Sequence, residues 1–545
     1  MTDGVAAADA VAAAVDAHVG VAPEQVHVRM YRALDPIPDG SADGSVDGIG
    51  DHRGLLGDCF LIRLEAGEVR SHILIDCGLL LGSPKAAERM RAVAADIVST
   101  CAGRLDLLIV THEHWDHLSG FSQAADVLLD PAKLAIGTAW MAWTEDPADP
   151  LANSLRTRFD RTGFALASIA GRIRDGDTPF GPDAARSKLG GVDAFMGKPV
   201  AGSSQNRPRL TTRDILARLK AGAGEVCYLR PGETRRTPGP VSLPAYVLGP
   251  PRDLPLLFRD TPSAVTPETY LDAPTVDGGQ LLRLADGGLP DPARDSPFAP
   301  DYCRFTIADM EARLAAGDGD DLRSCEFLRR HYHGTAGMAD WQKAAMDRRR
   351  IDADWLGTAG AMALKMDSDT NNTSLALAFE LPDDARDVML FPGDAQVGNW
   401  LSWGNQAYKT PDGSPVTIDQ LLARTLLYKV GHHGSHNATL AARGLALMTN
   451  DRLFAMIPTD EELARRQGAG GWQMPNPRVR AALKAQTGGR ILRNDRRYPS
   501  AARTAAQNER LRADPDVTAI PQGFLDRLVE TDLFLEYPLM EGPSA

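Results

Sequence analysis

Three short runs, QVHVRMYRAL, GDCFLIRLE and SHILIDCG, are rich in β-branched and apolar residues and are separated by polar turns. They predict consecutive antiparallel strands from about Gln25 to Gly78. A helix follows in SPKAAERMRAVAADIVSTCAG, which starts on Ser-Pro, carries apolar residues at helical spacing and stops at Gly103. LDLLIVT then reads as a buried strand. From about 131 to 222 the pattern turns loosely helical and polar and reads as an insertion. EVCYLRPGE and SLPAYVLGPP return to strand character, with GPP stopping the second. A second insertion covers about 252–367, loop-rich at first and helical towards GMADWQKAAMDRRRIDADWLGTAGAMALKM. Strands resume in TSLALAFEL, DVMLFPGD, TLLYKVGHHGSH and RLFAMIP, followed by a helix around PRVRAALKAQTGG and the strands RILRN and LFLEYPL. Two β-rich halves, each with helices, predict an α/β chain whose sheets pack face to face with helices outside. The domain would span 25–545, interrupted by the two insertions and preceded by a helical extension over 1–24.

Composition narrows the class. With 545 residues, 43% hydrophobic and 24% charged, the chain reads as a globular protein, and no apolar run approaches a membrane span. The first twenty residues contain Asp3, Asp9 and Asp16 and no early Lys or Arg, unlike a secretion signal, so a cytoplasmic location and no membrane partner are expected. Cys59, Cys77, Cys101, Cys227, Cys303 and Cys325 form no CxxC pair, which argues against a disulfide framework or a cysteine zinc site. The formal net charge of −13 opposes general attraction to nucleic acid. Bound metals can supply positive charge locally.

The chemistry gathers where strands end. LLIVTHEHWDHLSGF places His112, His114, Asp116 and His117 directly after an apolar strand. His112 and His114 alternate along an extended turn, so their rings can share one cation, while Asp116 and His117 enter a helix and can serve a second. MLFPGDAQ ends a strand in Asp394, a carboxylate placed to bridge two cations, and LLYKVGHHGSH ends another in His432, His433 and His436. Trp400 and Trp403, just past Asp394, read as helix core rather than a stacking platform.

The HxHxDH run, His112, His114, Asp116 and His117, resembles the signature of the metallo-β-lactamase fold superfamily. Within it, GDCFLI…ILIDCG, NNTSLALAFEL, FPGDAQ and KVGHHGS resemble the metallo-hydrolase domain of ComEC-like DNA-uptake proteins. The likeness covers roughly 25–135, 223–250 and 366–500. It implies an αββα sandwich with two large insertions and a pair of divalent ions, Zn or Mn. By this resemblance His112 and His114 hold the first metal, Asp116 and His117 the second, and Asp394 bridges them. His433, or alternatively His432, completes the second site, and Asp76 in LIDCG supports the histidines from behind. Many superfamily members place a further histidine where this chain has NNTS, so Asn371 or Asn372 stands at that position. MPNPRV puts Asn476 where ComEC-like domains often have histidine.

The implied activity is hydrolysis by a water activated at a dinuclear centre, with Asp116 and Asp394 ionised and the histidines neutral. Ser435, His436 or Lys429 could contact substrate, with surface roles as the alternative. The expected substrate is a phosphodiester, nucleic acid or a small nucleotide, the net charge favouring short ones. Two other readings stay open: a hydrolase of lactones, thioesters or other acyl esters, and a non-catalytic protein that binds partners through its insertions.

Overall fold

Strands β1 (Gln25–Tyr31), β2 (Phe60–Ala66) and β3 (Val69–Ile75) pair antiparallel in chain order, β2 and β3 through a two-residue turn. Gly67 takes φ +57° in that turn, a conformation that glycine adopts without a Cβ penalty. The computed structural model describes residues 20–33, 54–161, 210–260, 365–467 and 471–541, with short pieces at 262–263, 268–269, 307–317, 322–333, 338–339 and 342. Nearly all of the N-terminal extension, and most of the helical stretch expected at 337–366, lie outside the described residues.

After β3 come helix α1 (Ala86–Thr100), strand β4 (Arg104–Ile109), helix α2 (Trp115–Gln123) and strand β5 (Ala135–Ala142). Helix α3 (Thr212–Gly222) and strands β6 (Glu225–Leu229), β7 (Thr234–Arg236), β8 (Pro244–Gly249), β9 (Ala376–Glu380) and β10 (Val388–Phe391) follow. A small ribbon, β11 (Tyr408–Lys409) with β12 (Pro415–Val416), precedes β13 (Thr425–Lys429), β14 (Phe454–Ile457), β15 (Ile491–Arg493), β16 (Val529–Glu530) and β17 (Phe534–Met540). They form an eight-stranded sheet in the order β16-β17-β1-β2-β3-β4-β5-β6 and a seven-stranded sheet in the order β15-β14-β13-β10-β9-β8-β7. The first sheet therefore runs on through β5, inside the stretch that the sequence pattern assigns to an insertion from 131. Gly137 and Thr138 interrupt its apolar run and mask the strand, yet Ala139, Trp140, Met141 and Ala142 are buried.

Alternation along the strands builds three layers of apolar packing. Val28, Ile62, Ile73 and Leu107 of the first sheet share one core with Val247, Phe379, Met389 and Met456 of the second, so the sheets pack face to face. Phe60 meets Phe391 edge-on across that core, ring centroids 5.5 Å apart. On the outer face of the first sheet Leu61, Leu74 and Leu108 pack on Met90, Val93 and Ile97, the stripe of α1 at helical spacing. On the outer face of the second, Tyr246, Leu390 and Tyr428 meet Trp400, Leu421 and Leu483. Trp400 and Trp403 stack at 4.0 Å within this layer, buried as core. The result is the αββα sandwich. The chain divides into two compact units, Met1–Ser154 with Ala201–Thr275 and Asp367–Ala545, and Leu155–Val200 with Val276–Met366. The sandwich and every motif residue above belong to the first. Among the described residues no helix is long and apolar enough to cross a membrane.

The C-terminal edge of the second sheet is tied down by polar contacts. Arg493 makes a two-pronged pair with Asp495, Nε to Oδ1 at 3.0 Å and Nη2 to Oδ2 at 2.8 Å. Asn494 accepts the Thr459 N–H at 2.7 Å and donates to the Leu55 carbonyl at 2.8 Å, linking the strand ends of the two sheets. Burial pushes the Asp495 carboxyl up, but Arg493 and Arg496 outweigh it and hold it below the usual range. A depressed folded pKa stabilises fully above the unfolded value, about 3.9, and that stability is lost as pH falls through the folded one. Asp495→Asn is expected to cost about 1–3 kcal/mol at neutral pH, because Arg493 loses its two-pronged partner but keeps Glu461 and Asp516. It should also remove part of the acid-range slope; urea unfolding at neutral and acid pH checks both.

Candidate metal centre

Three loops at C-terminal strand ends meet at one place. Thr111, His112 and His114 leave β4, and His114 is the N-cap of α2, which puts Asp116 and His117 in that helix's first turn. Asp394 follows β10 after Gly393, and His433 follows β13. His432 and His433 both sit in left-handed backbone, φ 47° and 53°. That conformation costs a non-glycine residue about 1–3 kcal/mol and persists only where surroundings impose it. The first turn of α2 is held from behind by the two strand-end segments of β2 and β3. Asp58 N–H donates to the Asp116 carbonyl at 3.0 Å and Cys77 N–H to the His117 carbonyl at 2.8 Å. Gly78 lies so close that a Cβ there would fall 2.4 Å from the Asp116 backbone, so only glycine permits the contact.

Side chains of Asp116, His117, Asp394 and His433 present ligand atoms within 4.8 Å of one another. Their outer partners fix which atoms face inward. His117 Nδ1 donates to Asp76 Oδ2 at 2.7 Å, leaving Nε2 bare at 3.2 Å from Asp394 Oδ2. His433 Nδ1 donates to the Pro458 carbonyl at 2.7 Å, leaving Nε2 at 2.9 Å from Asp116 Oδ2. Two ring nitrogens and two carboxylate oxygens thus converge, an arrangement that repels itself unless protons or a metal cation lie among them. Burial opposes a charged His117 ring, yet Asp394, Asp58 and Asp76 outweigh it and hold its pKa well above the ordinary value. Burial likewise raises Asp116, but His117 and His433 prevail and hold it far below the carboxylate range. A divalent ion such as zinc or manganese would displace the Nε2 protons that the raised His117 and His433 pKa values favour, and the set of two imidazole nitrogens and two ionised carboxylates then fits it.

A second pair sits beside the first. His112 Nε2 lies 3.0 Å from His114 Nδ1, and the His112 ring lies 4.1 Å from that of His117. Thr111 donates its hydroxyl to Asp76 Oδ2 at 2.6 Å and faces His112 Nδ1 at 3.0 Å; Ser374 Oγ faces the same nitrogen at 3.2 Å. Those contacts take the outer nitrogen of His112 and turn Nε2 towards His114. Burial, with His117 and His114 nearby, holds the His112 pKa well below its ordinary value, so the ring stays a neutral donor. On the far side of His114, Nε2 is 3.6 Å from Asp367 Oδ1.

The two asparagines of NNTS divide their work. Asn372 is scaffold: its Oδ1 accepts the N–H of Gln396 at 3.0 Å, and its Nδ2 donates to the Arg259 carbonyl at 2.8 Å. Asn371 reaches Asp367 at 3.5 Å through Nδ2, while its buried Oδ1 has no hydrogen-bond partner. His432 contributes its backbone N–H, which donates to Asp394 Oδ1 at 3.0 Å; burial lowers its ring pKa to about 4. Ser435 is spent inside the turn, its hydroxyl on Asn437 Oδ1, and His436 lies half-buried beyond it. Asn476 caps the helix Pro477–Gln486, and its N–H donates to the Gly434 carbonyl, so it braces the HHGS turn from outside. Lys429 is not a surface group: it is 1% exposed and bonded to Asp394 and Asp58. Asp58, Thr111, Ser374, Asp367 and Pro458 escaped the sequence reading. Asp58 and Thr111 had a signal, a polar residue beside each motif at a strand end, whereas the Pro458 carbonyl has none.

Asp76→Asn keeps a residue that tolerates the left-handed backbone at that position, φ 54°, but loses the carboxylate that fixes His117. Metal affinity, measured by competition with a chromophoric chelator, is expected to fall about 10–100-fold with the fold retained.

No curated protein and no solved structure matches the chain. A family model described as Metallo-beta-lactamase superfamily matches residues 52–205. That stretch contains Asp58, Asp76 and the whole of His112 to His117, while Asp394 and His433 lie beyond it. Residues 52–205 are thus similar to the metallo-beta-lactamase superfamily, and the cluster that their Asp116 and His117 form with Asp394 and His433 could hold a metal ion.

Proposed function

We propose that this protein is a cytoplasmic, metal-dependent phosphodiesterase that cleaves short or small phosphodiesters, nucleic acid fragments or nucleotides, with two divalent ions, zinc or manganese. The observation that carries the hydrolase reading is the convergence of Asp116, His117, Asp394 and His433 within 4.8 Å, the outer ring nitrogens of both histidines already committed. The phosphodiester is supported by the joint presence of NNTS, FPGD and HHGS, which resemble ComEC-like metallo-hydrolase domains. The net charge of −13 supports a small substrate over a long duplex.

In this reading His112 and His114 hold one ion, Asp116, His117 and His433 the other, and Asp394 both. Ions bound there supply a water ionised near neutral pH and offset charge on the phosphoryl oxygens. The chain's own residues do the rest. Asp76, Thr111 and Pro458 set the ring tautomers, and burial with the flanking imidazoles keeps His112 neutral. The two sheets supply opposite walls of the site from rigid strand ends, which holds the groups in place without reorganisation during the reaction.

His114→Ala and Asp116→Ala are each expected to lower turnover by more than the roughly 10–100-fold typical of outer-shell partners, with unfolding transitions of the metal-free proteins near that of metal-free wild type. The assay offers single-stranded and duplex DNA, RNA and cyclic dinucleotides with Mn²⁺ or Zn²⁺, beside a lactone and thioester panel. Cleavage of none of the phosphodiesters removes this proposal, and turnover confined to the acyl compounds replaces it with the acyl-hydrolase reading. Treatment with a chelator should abolish activity, and adding back the ion should restore it.

A further inference from the structure

A lysine that lies 1% exposed in the second sheet, with its ammonium among metal-binding carboxylates, calls for a reason, since an unpaired buried ammonium is strongly disfavoured. Lys429 is the last residue of β13. Its Nζ donates to the Gly393 carbonyl at 3.0 Å, to Asp394 Oδ1 at 3.3 Å and, by a short contact, to Asp58 Oδ2. Three N–H groups thus meet three acceptors, and no donor is left for a substrate. Asp58 is itself fixed, because its backbone N–H holds the Asp116 carbonyl, and its carboxylate lies 3.8 Å from His117 Nδ1 and 3.9 Å from His433 Nδ1. Asp394 Oδ1 also accepts the His432 N–H at 3.0 Å and is therefore fully engaged. Its Oδ2 has no hydrogen-bond partner and faces His117 Nε2.

We infer that Lys429 and Asp58 form a charge-neutral clamp that holds Asp394 so that it offers a single oxygen, Oδ2, to the metal centre. Lys429 and Asp58 are positioning residues in this scheme. Without the clamp the Asp394 carboxylate can rotate, turn both oxygens towards one ion and cease to link two. The clamp's neutrality matters: ammonium and carboxylate cancel, so Asp394 is oriented without adding net charge next to the ions. The inference rests on the dinuclear reading proposed above.

The double variant K429M/D58N removes both charges together. The net charge of the site is unchanged, no buried cation is left unpaired, and Asp394, though it loses the ammonium, keeps the His432 N–H. Elemental analysis and chelator competition with Zn²⁺ are expected to show two ions per wild-type chain. In the folded double variant one ion should stay tightly held and the other should bind at least about tenfold more weakly. Thermal unfolding of the metal-free proteins checks the fold. If the double variant does not fold, K429R carries the same expectation, because a planar guanidinium cannot place one nitrogen among all three acceptors. Wild-type affinity for both ions in the folded variant overturns the clamp and leaves the metal centre standing. A wild type that binds no ion overturns both.

Discussion

Electron-rich atoms of like character are forced together at the C-terminal strand edges, and the fold around them serves to keep them there. His117 Nε2 and Asp394 Oδ2 face each other at 3.2 Å, and His433 Nε2 and Asp116 Oδ2 at 2.9 Å, inside a protein interior where such repulsion is poorly screened. His117, His433 and Asp394 are each locked by a bond on the far side, to Asp76, Pro458 and Lys429 respectively. The left-handed backbone of His432 and His433 and the contact that only Gly78 permits are part of the same arrangement.

Much of this was legible in the sequence. Strand positions followed from alternation, and the candidate metal-holding residues stood out because each cluster comes directly after an apolar run. The sandwich followed from two β-rich halves with helices. What escaped has identifiable causes. Strand β5 is interrupted by Gly137 and Thr138, so its apolar period is weak locally and is rescued only by pairing with β4 and β6. Asp58 looked like an ordinary turn residue because its partner Lys429 is 371 positions away in the chain. Carbonyl groups such as that of Pro458 carry no mark of residue type at all.

The two asparagines of NNTS show the limit most clearly. Sequence could place either at the position where the resemblance leads one to expect a histidine. Only the hydrogen bonds separate them, assigning Asn372 to the loop after Asp394 and leaving Asn371 Oδ1 buried without a partner. Adjacent identical letters differ because the chain turns between them, and that turn is set by contacts with residues far downstream.

The cluster draws Asp116 and His117 from the eight-stranded layer and Asp394 and His433 from the seven-stranded one. An ion seated among them would act as a rivet through the sandwich, present only when both layers are assembled. By mass action such a rivet raises the free energy of prising the layers apart with every increase in free ion above the dissociation constant. Starvation for metal would then be felt first as a loosening of the seam between the sheets, along the edge where Phe60 and Phe391 meet.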